Sequence, residues 1–105
     1  MQNIHPKTLQ NMDVSEIELK IYQRQHDEIK HLMCMYGFDS ILGGVYPLSV
    51  QGRINGYQVT VLGRTKALPR EAPFVLITNR QLEIKERRGW SSVGELAELF
   101  SELSE

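Results

Sequence analysis

Three side chains that can bind a metal or transfer a proton lie within one short segment of the sequence. Asp27, His31 and Cys34 occur at i, i+4 and i+7, so they would share one face of a helix. They could ligate zinc, or act as a thiol nucleophile, a base and a carboxylate that orients the base. The chain has one cysteine, no His-Glu-x-x-His pattern and no fourth ligand at a recognisable spacing. We therefore favour a solvated helix flank beside a small thiol, and we predict no metal and no other cofactor.

The glycine-rich segments do not predict a phosphate-binding loop. Such a loop is followed directly by a helix, whose free N–H groups bind the anion. Gly43-Gly44 and residues 52–56 lead instead into segments with strand character. The sequence also lacks a Gly-x-Ser-x-Gly nucleophile motif. We therefore predict a protein that is not an enzyme, and a small enzyme of uncharacterised activity is the third alternative.

The charged residues are sorted along the chain, although they nearly cancel. The formal net charge is −1, which provides no overall field for steering to nucleic acid or to a membrane. Residues 41–90 nevertheless hold eight Lys or Arg residues against three Glu, whereas residues 91–105 hold four Glu and no basic residue. The candidate anion- or partner-binding residues of the basic segment are Arg53, Arg64, Lys66, Arg70, Arg87, Arg88 and Trp90. Alternatively, the arginines pair with nearby glutamates and form a solvated edge.

Trp90 allows two interpretations. It could stack on a nucleic-acid base beside Arg87 and Arg88, as aromatic side chains do in proteins that bind single strands. It could also pack the start of the last helix against the core. One exposed aromatic residue is too few for a stacking platform, so we favour packing.

A long helix is predicted from Asp13 to Tyr36. Asp13 can cap its N-terminus, and apolar residues then recur at helical spacing. Gly37 provides the left-handed stop, behind which Phe38 can fold back on Met33. Residues 1–12 lack such periodicity and are expected to form a flexible N-terminal arm.

A β-hairpin is the clearest local signal in the sequence. Val45 to Ile54 and Tyr57 to Arg64 flank Asn55-Gly56, the preferred pair for a two-residue type I′ turn. Gly43-Gly44 is expected to break the chain before this hairpin. Two further strands are predicted, an apolar one from Phe74 to Thr78 and an alternating one from Leu82 to Arg87.

These elements predict a single α+β domain over residues 13–105. Ser92 and Glu95 form a capping box that opens a C-terminal amphipathic helix. The economical arrangement is an antiparallel sheet of about four strands, in two hairpin-like pairs, with both helices on one face. This element order is similar to that of double-stranded-RNA-binding domains and of several small regulatory or chaperone-like α+β folds. No motif in the chain is specific to any of these.

The other face of the sheet is the candidate interface. Either Phe74 and Leu76 or Val75 and Ile77 must point outward, and we predict Val45, Leu62, Phe74 and Leu76 as its apolar residues. A contiguous apolar patch on a wet face marks a partner or self-association site. Alternatively, the N-terminal arm or residues 65–73 fold over this patch. The expected function is that of a small binding or accessory module that contacts a protein partner or forms a homodimer through this face. The alternative is a regulator that binds nucleic acid through the basic surface of residues 53–88.

The cytoplasm is the expected compartment. The longest apolar run, residues 32–36, is far shorter than the roughly 20 residues of a membrane-spanning helix. The first residues show no secretory signal, and the single cysteine has no partner for a disulfide. No membrane association is therefore expected.

Overall fold

Every strand of the sheet pairs with the strand that follows it in the chain. The computed structural model describes residues 16–63 and 73–105. Its elements there are α1 (Glu16–Met35), β1 (Asp39–Gly44), β2 (Ser49–Ile54), β3 (Tyr57–Leu62), β4 (Phe74–Thr78), β5 (Ile84–Gly89) and α2 (Val93–Leu103). The strands form one antiparallel sheet in the order β1-β2-β3-β4-β5. The predicted α+β class is confirmed, with five strands rather than about four.

Helix α1 ends where the sequence predicts. Gly37 has a φ of 86°, a left-handed conformation that glycine adopts without a steric penalty. The N–H of Phe38 donates to the carbonyl of Met33 at 3.0 Å, which is the long hydrogen bond of a Schellman stop. Phe38 then lies in the core. The predicted helix start and the predicted arm, residues 1–13, lie outside the described residues.

Strands β2 and β3 form the predicted hairpin. Asn55 and Gly56 both have a positive φ, 51° and 82°, as a type I′ turn requires. Strand β2 begins at Ser49 and not at the predicted Val45, because residues 45–48 form a turn. Pro47 within that turn has no N–H to donate to a strand ladder.

Strand β1 is not predicted by the sequence pattern. Gly43-Gly44 was expected to break the chain, yet both glycines lie in β1 and pair with β2. A Cβ atom added to Gly43 would lie 2.9 Å from Nε2 of His26, on helix α1. A close approach of the helix to the strand, and not a turn, therefore favours glycine at this position.

Strand β5 begins two residues later than predicted. Leu82, the predicted first residue, lies in a turn with a φ of 63°. The side-chain Oδ1 of Asn79 closes this turn by accepting the N–H of Glu83 at 2.9 Å. Because this side chain, and not strand β4, accepts the N–H of Glu83, the ladder between β4 and β5 starts only at Ile84.

Both helices pack on one face of the sheet, which we call the inner face. Helix α2 opens with the predicted capping box, in which Ser92 and Glu95 each accept the other's backbone N–H. The core is one cluster that joins buried residues of both helices to alternate strand residues. Its fully buried large side chains include Ile29, Met33, Leu96 and Phe100 from the helices and Val50, Val59, Val61 and Val75 from the strands. Within residues 16–63 and 73–105, no helix is long and apolar enough to cross a membrane.

Candidate functional site

The side of the sheet opposite the helices, here called the outer face, carries the alternate strand residues that do not enter the core. Directly opposed residues of neighbouring antiparallel strands project to the same side. Gln51 of β2 opposes Thr60 of β3, which in turn opposes Leu76 of β4. Leu76 then opposes Arg87 of β5. By this register the side chains of the described outer face are those of Asp39, Leu42, Ser49, Gln51, Arg53, Gln58, Thr60, Leu62, Phe74, Leu76, Thr78, Ile84 and Arg87.

Three of the four predicted interface residues lie together on the outer face. Leu62 of β3 directly opposes Phe74 of β4, and Leu76 lies two residues further along β4 on the same side. All three side chains are half-buried. We call them the apolar cluster. Val45, the fourth predicted residue, lies in the turn between β1 and β2, so it does not belong to this face.

Arg87 places a positive charge directly beside the apolar cluster. Its guanidinium carbon lies 4.1 Å from the centre of the Phe74 ring, which is a cation–π contact. The guanidinium therefore covers part of the ring, so Phe74 does not present a bare aromatic surface for stacking.

Arg53 is a second cation of the outer face. It lies on β2, opposite Asp39 of β1, and is exposed. Among the described residues it forms no ion pair. The remaining predicted basic residues of this region lie outside the described part of the chain, and they are Arg64, Lys66 and Arg70.

Arg88 and Trp90, both predicted as binding residues, point away from the outer face. Arg88 lies on the inner side, where it forms ion pairs with Glu86 at 2.6 Å and Glu102 at 3.9 Å. Trp90 is 7% exposed, and its indole N–H donates to the carbonyl of Leu62 at 3.1 Å. Arg88 thus pairs with glutamates of the same chain. Trp90 packs in the core and uses its N–H within the fold.

Asp27, His31 and Cys34 are not placed together as a metal site. The described residues contain no group of three side chains placed to hold a metal ion. Asp27 instead lies 2.9 Å from Nδ1 of His26 and accepts a hydrogen bond from the Gln23 amide at 3.2 Å. These contacts, the one with His26 above all, hold the pKa of Asp27 below its usual value. The carboxylate therefore anchors the imidazole that packs against β1.

Leu42 is an outer-face residue that the sequence pattern does not predict. It opposes Gln51 and is 62% exposed. The sequence of β1 does not alternate between apolar and polar residues, because almost every residue of this strand is exposed. Edge strands of this kind give a weak signal in sequence.

The comparisons with known proteins found nothing similar. No protein-family model, no curated protein and no solved structure matches the chain. A function must therefore be inferred from the residues of the chain itself.

Proposed function

We propose that this protein is a non-enzymatic binding module that docks a protein partner through the outer face. The observation that carries the proposal is the apolar cluster of Leu62, Phe74 and Leu76, with Arg87 beside it. In the described part of the chain both helices occupy the inner face, so neither helix covers this cluster. Half-buried apolar side chains in the middle of a polar face are typical of the anchors of a protein interface.

The charges of the outer face favour a partner with acidic groups around an apolar patch. The described outer face holds two guanidinium groups, Arg53 and Arg87, against the single carboxylate of Asp39. A two-fold symmetric contact between copies through the cluster would bring like charges together, which opposes association. A different protein that carries Asp or Glu residues would meet a complementary surface. Homodimerisation, the other form of the proposal, is decided by the same experiment.

The proposed docking uses two kinds of contact, apolar and charged, which have different effects on binding. Burial of the apolar cluster removes apolar area from water and slows dissociation. The flanking arginines orient the partner and raise the association rate, an effect that salt weakens.

The test compares two variants with the same chemical change. Leu76→Asp places a carboxylate in the apolar cluster, whereas Ile17→Asp places one on α1, at a residue that is 72% exposed and is not part of the outer face. A partner captured by the wild-type chain, after nuclease treatment, should bind Leu76→Asp at least about tenfold more weakly. Ile17→Asp should bind it like the wild type. Equal binding of both variants would refute the docking face.

A second variant and a mass measurement separate the remaining alternatives. Arg87→Glu should slow association most strongly at low salt. Light scattering that reports a dimer, lost in Leu76→Asp but kept in Ile17→Asp, would assign the outer face to a second copy of the chain. Capture that disappears with nuclease would instead favour the nucleic-acid alternative, whose phosphate contacts weaken steeply as salt rises. Circular dichroism confirms that each variant is folded.

A further inference from the structure

A cleft of about 400 Å³ opens at one end of the sheet, where the β2–β3 turn lies beside the turn between β4 and β5. It lies within the described residues and is distinct from the apolar cluster, none of whose members line it. Its volume falls in the range of about 300–1,000 Å³ that is usual for small-molecule sites. It is therefore large enough for more than a single inorganic ion.

Two arginines line this cleft from different elements. Arg53 extends from the end of β2, and Arg80 from the turn after β4. A Cβ atom added to Gly56 would lie 3.7 Å from Nε of Arg80, which places this guanidinium next to the β2–β3 turn. Neither arginine forms an ion pair with another described residue, and Asp39 is the only acidic residue in the lining.

The same cleft has apolar walls. Tyr57 and Leu82 both line it, with 38% and 71% of their side chains exposed. Leu82 belongs to the β4–β5 turn, which is closed by hydrogen bonds to both the carbonyl and the side chain of Asn79. Exposed apolar side chains beside two arginines give the cleft one surface for an anion and another for a ring or a hydrocarbon.

We propose that the cleft binds a small organic oxyanion, a phosphate or a carboxylate attached to an apolar or aromatic group. The planar guanidinium groups of Arg53 and Arg80 can each donate two parallel hydrogen bonds to such an oxyanion. The apolar part of the ligand would lie against Tyr57 and Leu82. Arg53 also belongs to the outer face, whereas Arg80, Tyr57 and Leu82 do not. Variants of Arg80 therefore test this site separately from the docking function proposed above.

Titration of the ¹⁵N-labelled full chain with phenyl phosphate, at constant ionic strength, tests the site. Saturable shifts are expected for the backbone amides of residues 55–58 and 79–82. Arg80→Gln should weaken binding about tenfold or more, because it removes a charge-assisted pair of hydrogen bonds. Lys85→Gln removes an exposed cation that does not line the cleft, and should bind like the wild type. Benzoate in place of phenyl phosphate shows which oxyanion is preferred.

Three results would overturn the proposal. One is the absence of saturable shifts in these two segments at millimolar ligand. The second is equal affinity of Arg80→Gln and the wild type. The third is equal binding of benzyl alcohol, which has the ring but no charge. Arg53→Gln provides a second variant with the same expectation as Arg80→Gln.

Discussion

Alanine at Gly43 should destabilise the fold, whereas alanine at the adjacent Gly44 should not. The two glycines end strand β1, and their hydrogens point to opposite sides of the sheet because strand residues alternate. A Cβ atom at Gly43 would lie 2.9 Å from Nε2 and 3.0 Å from Cδ2 of His26. At Gly44 the nearest heavy atom would be the carbonyl oxygen of Pro47, at 3.9 Å.

The magnitude follows from two opposing effects. Replacing glycine by alanine restricts the unfolded chain, which stabilises the fold by about 0.4–1 kcal/mol where the native backbone accepts alanine. At Gly43 the added methyl group also overpacks the contact with His26, which costs about 1–3 kcal/mol. The imidazole cannot move away freely, because its Nδ1 lies 2.9 Å from Asp27 and its side chain is only 12% exposed. The two variants should therefore differ by roughly 2 kcal/mol, with Gly44→Ala the more stable.

Urea unfolding followed by the fluorescence of the single tryptophan measures this difference. With an m-value of about 2 kcal/mol per molar, the midpoints of the two variants should lie about 1 M apart at equal m. The variant His26→Ala makes room for the methyl group, so Gly43→Ala should cost much less in that background. This double-mutant cycle isolates the contact between strand and helix.

Equal midpoints for Gly43→Ala and Gly44→Ala would refute the reasoning. They would mean that His26 does not pack against Gly43, and therefore that α1 does not lie over β1. A cost of Gly43→Ala that stays the same in the His26→Ala background would place the clash elsewhere. Unequal m-values would show a change in the unfolded or native state and not a local contact.

The remaining predictions concern the second helix and the residues before it. Trp90→Phe removes the indole N–H that donates to the Leu62 carbonyl, and should lower the free energy of unfolding by about 1–3 kcal/mol in thermal unfolding. Ser92→Ala removes the N-cap of α2 and should cost about 1 kcal/mol in the same assay, whereas Ser92→Gly should cost only a few tenths. Hydrogen bonds from the backbone and then the side chain of Ser91 hold the pKa of Glu95 below its ordinary value of 4.5. The folded state thus favours the carboxylate, so its stabilising effect is complete above about pH 4.5 and is lost as the pH falls through the lowered pKa. Glu95→Gln should therefore flatten the decrease of the melting temperature in acid, and an unchanged slope would contradict this.

The elements that the sequence predicts correctly depend on contacts between near neighbours. The stop at Gly37, the Asn55-Gly56 turn and the capping box of Ser92 each involve residues a few positions apart. Their geometry follows from backbone sterics and from nearby hydrogen-bond donors and acceptors. Such signals can be recognised without knowledge of the rest of the chain.

The candidate site was predicted only in part, since its members come together through strand register. Leu62, Phe74 and Leu76 follow from alternation within strands, and their common face is the predicted one. The prediction that Val45 lies on this face is wrong, because residues 45–48 form a turn before β2. The cleft was not predicted at all, because Arg53 and Arg80 are brought together by two turns that are distant in the chain.

The sequence by itself determined the class of fold, the stop of α1, the N-cap of α2 and the hairpin, because the stop, the cap and the turn depend on short-range conformational preferences. The tertiary structure decided which side each charge faces. Arg87 and Arg88 are adjacent, yet Arg87 contacts Phe74 on the outer face while Arg88 pairs with Glu102 of α2. A shift of one residue in the pairing of β4 with β5 would exchange them, because successive strand residues point to opposite sides. The pairing of β4 with β5 is irregular between Ile77 and Thr78, and both helices pack on the inner side of the sheet. Alternation along the basic segment by itself therefore does not show which of the two arginines faces the helices.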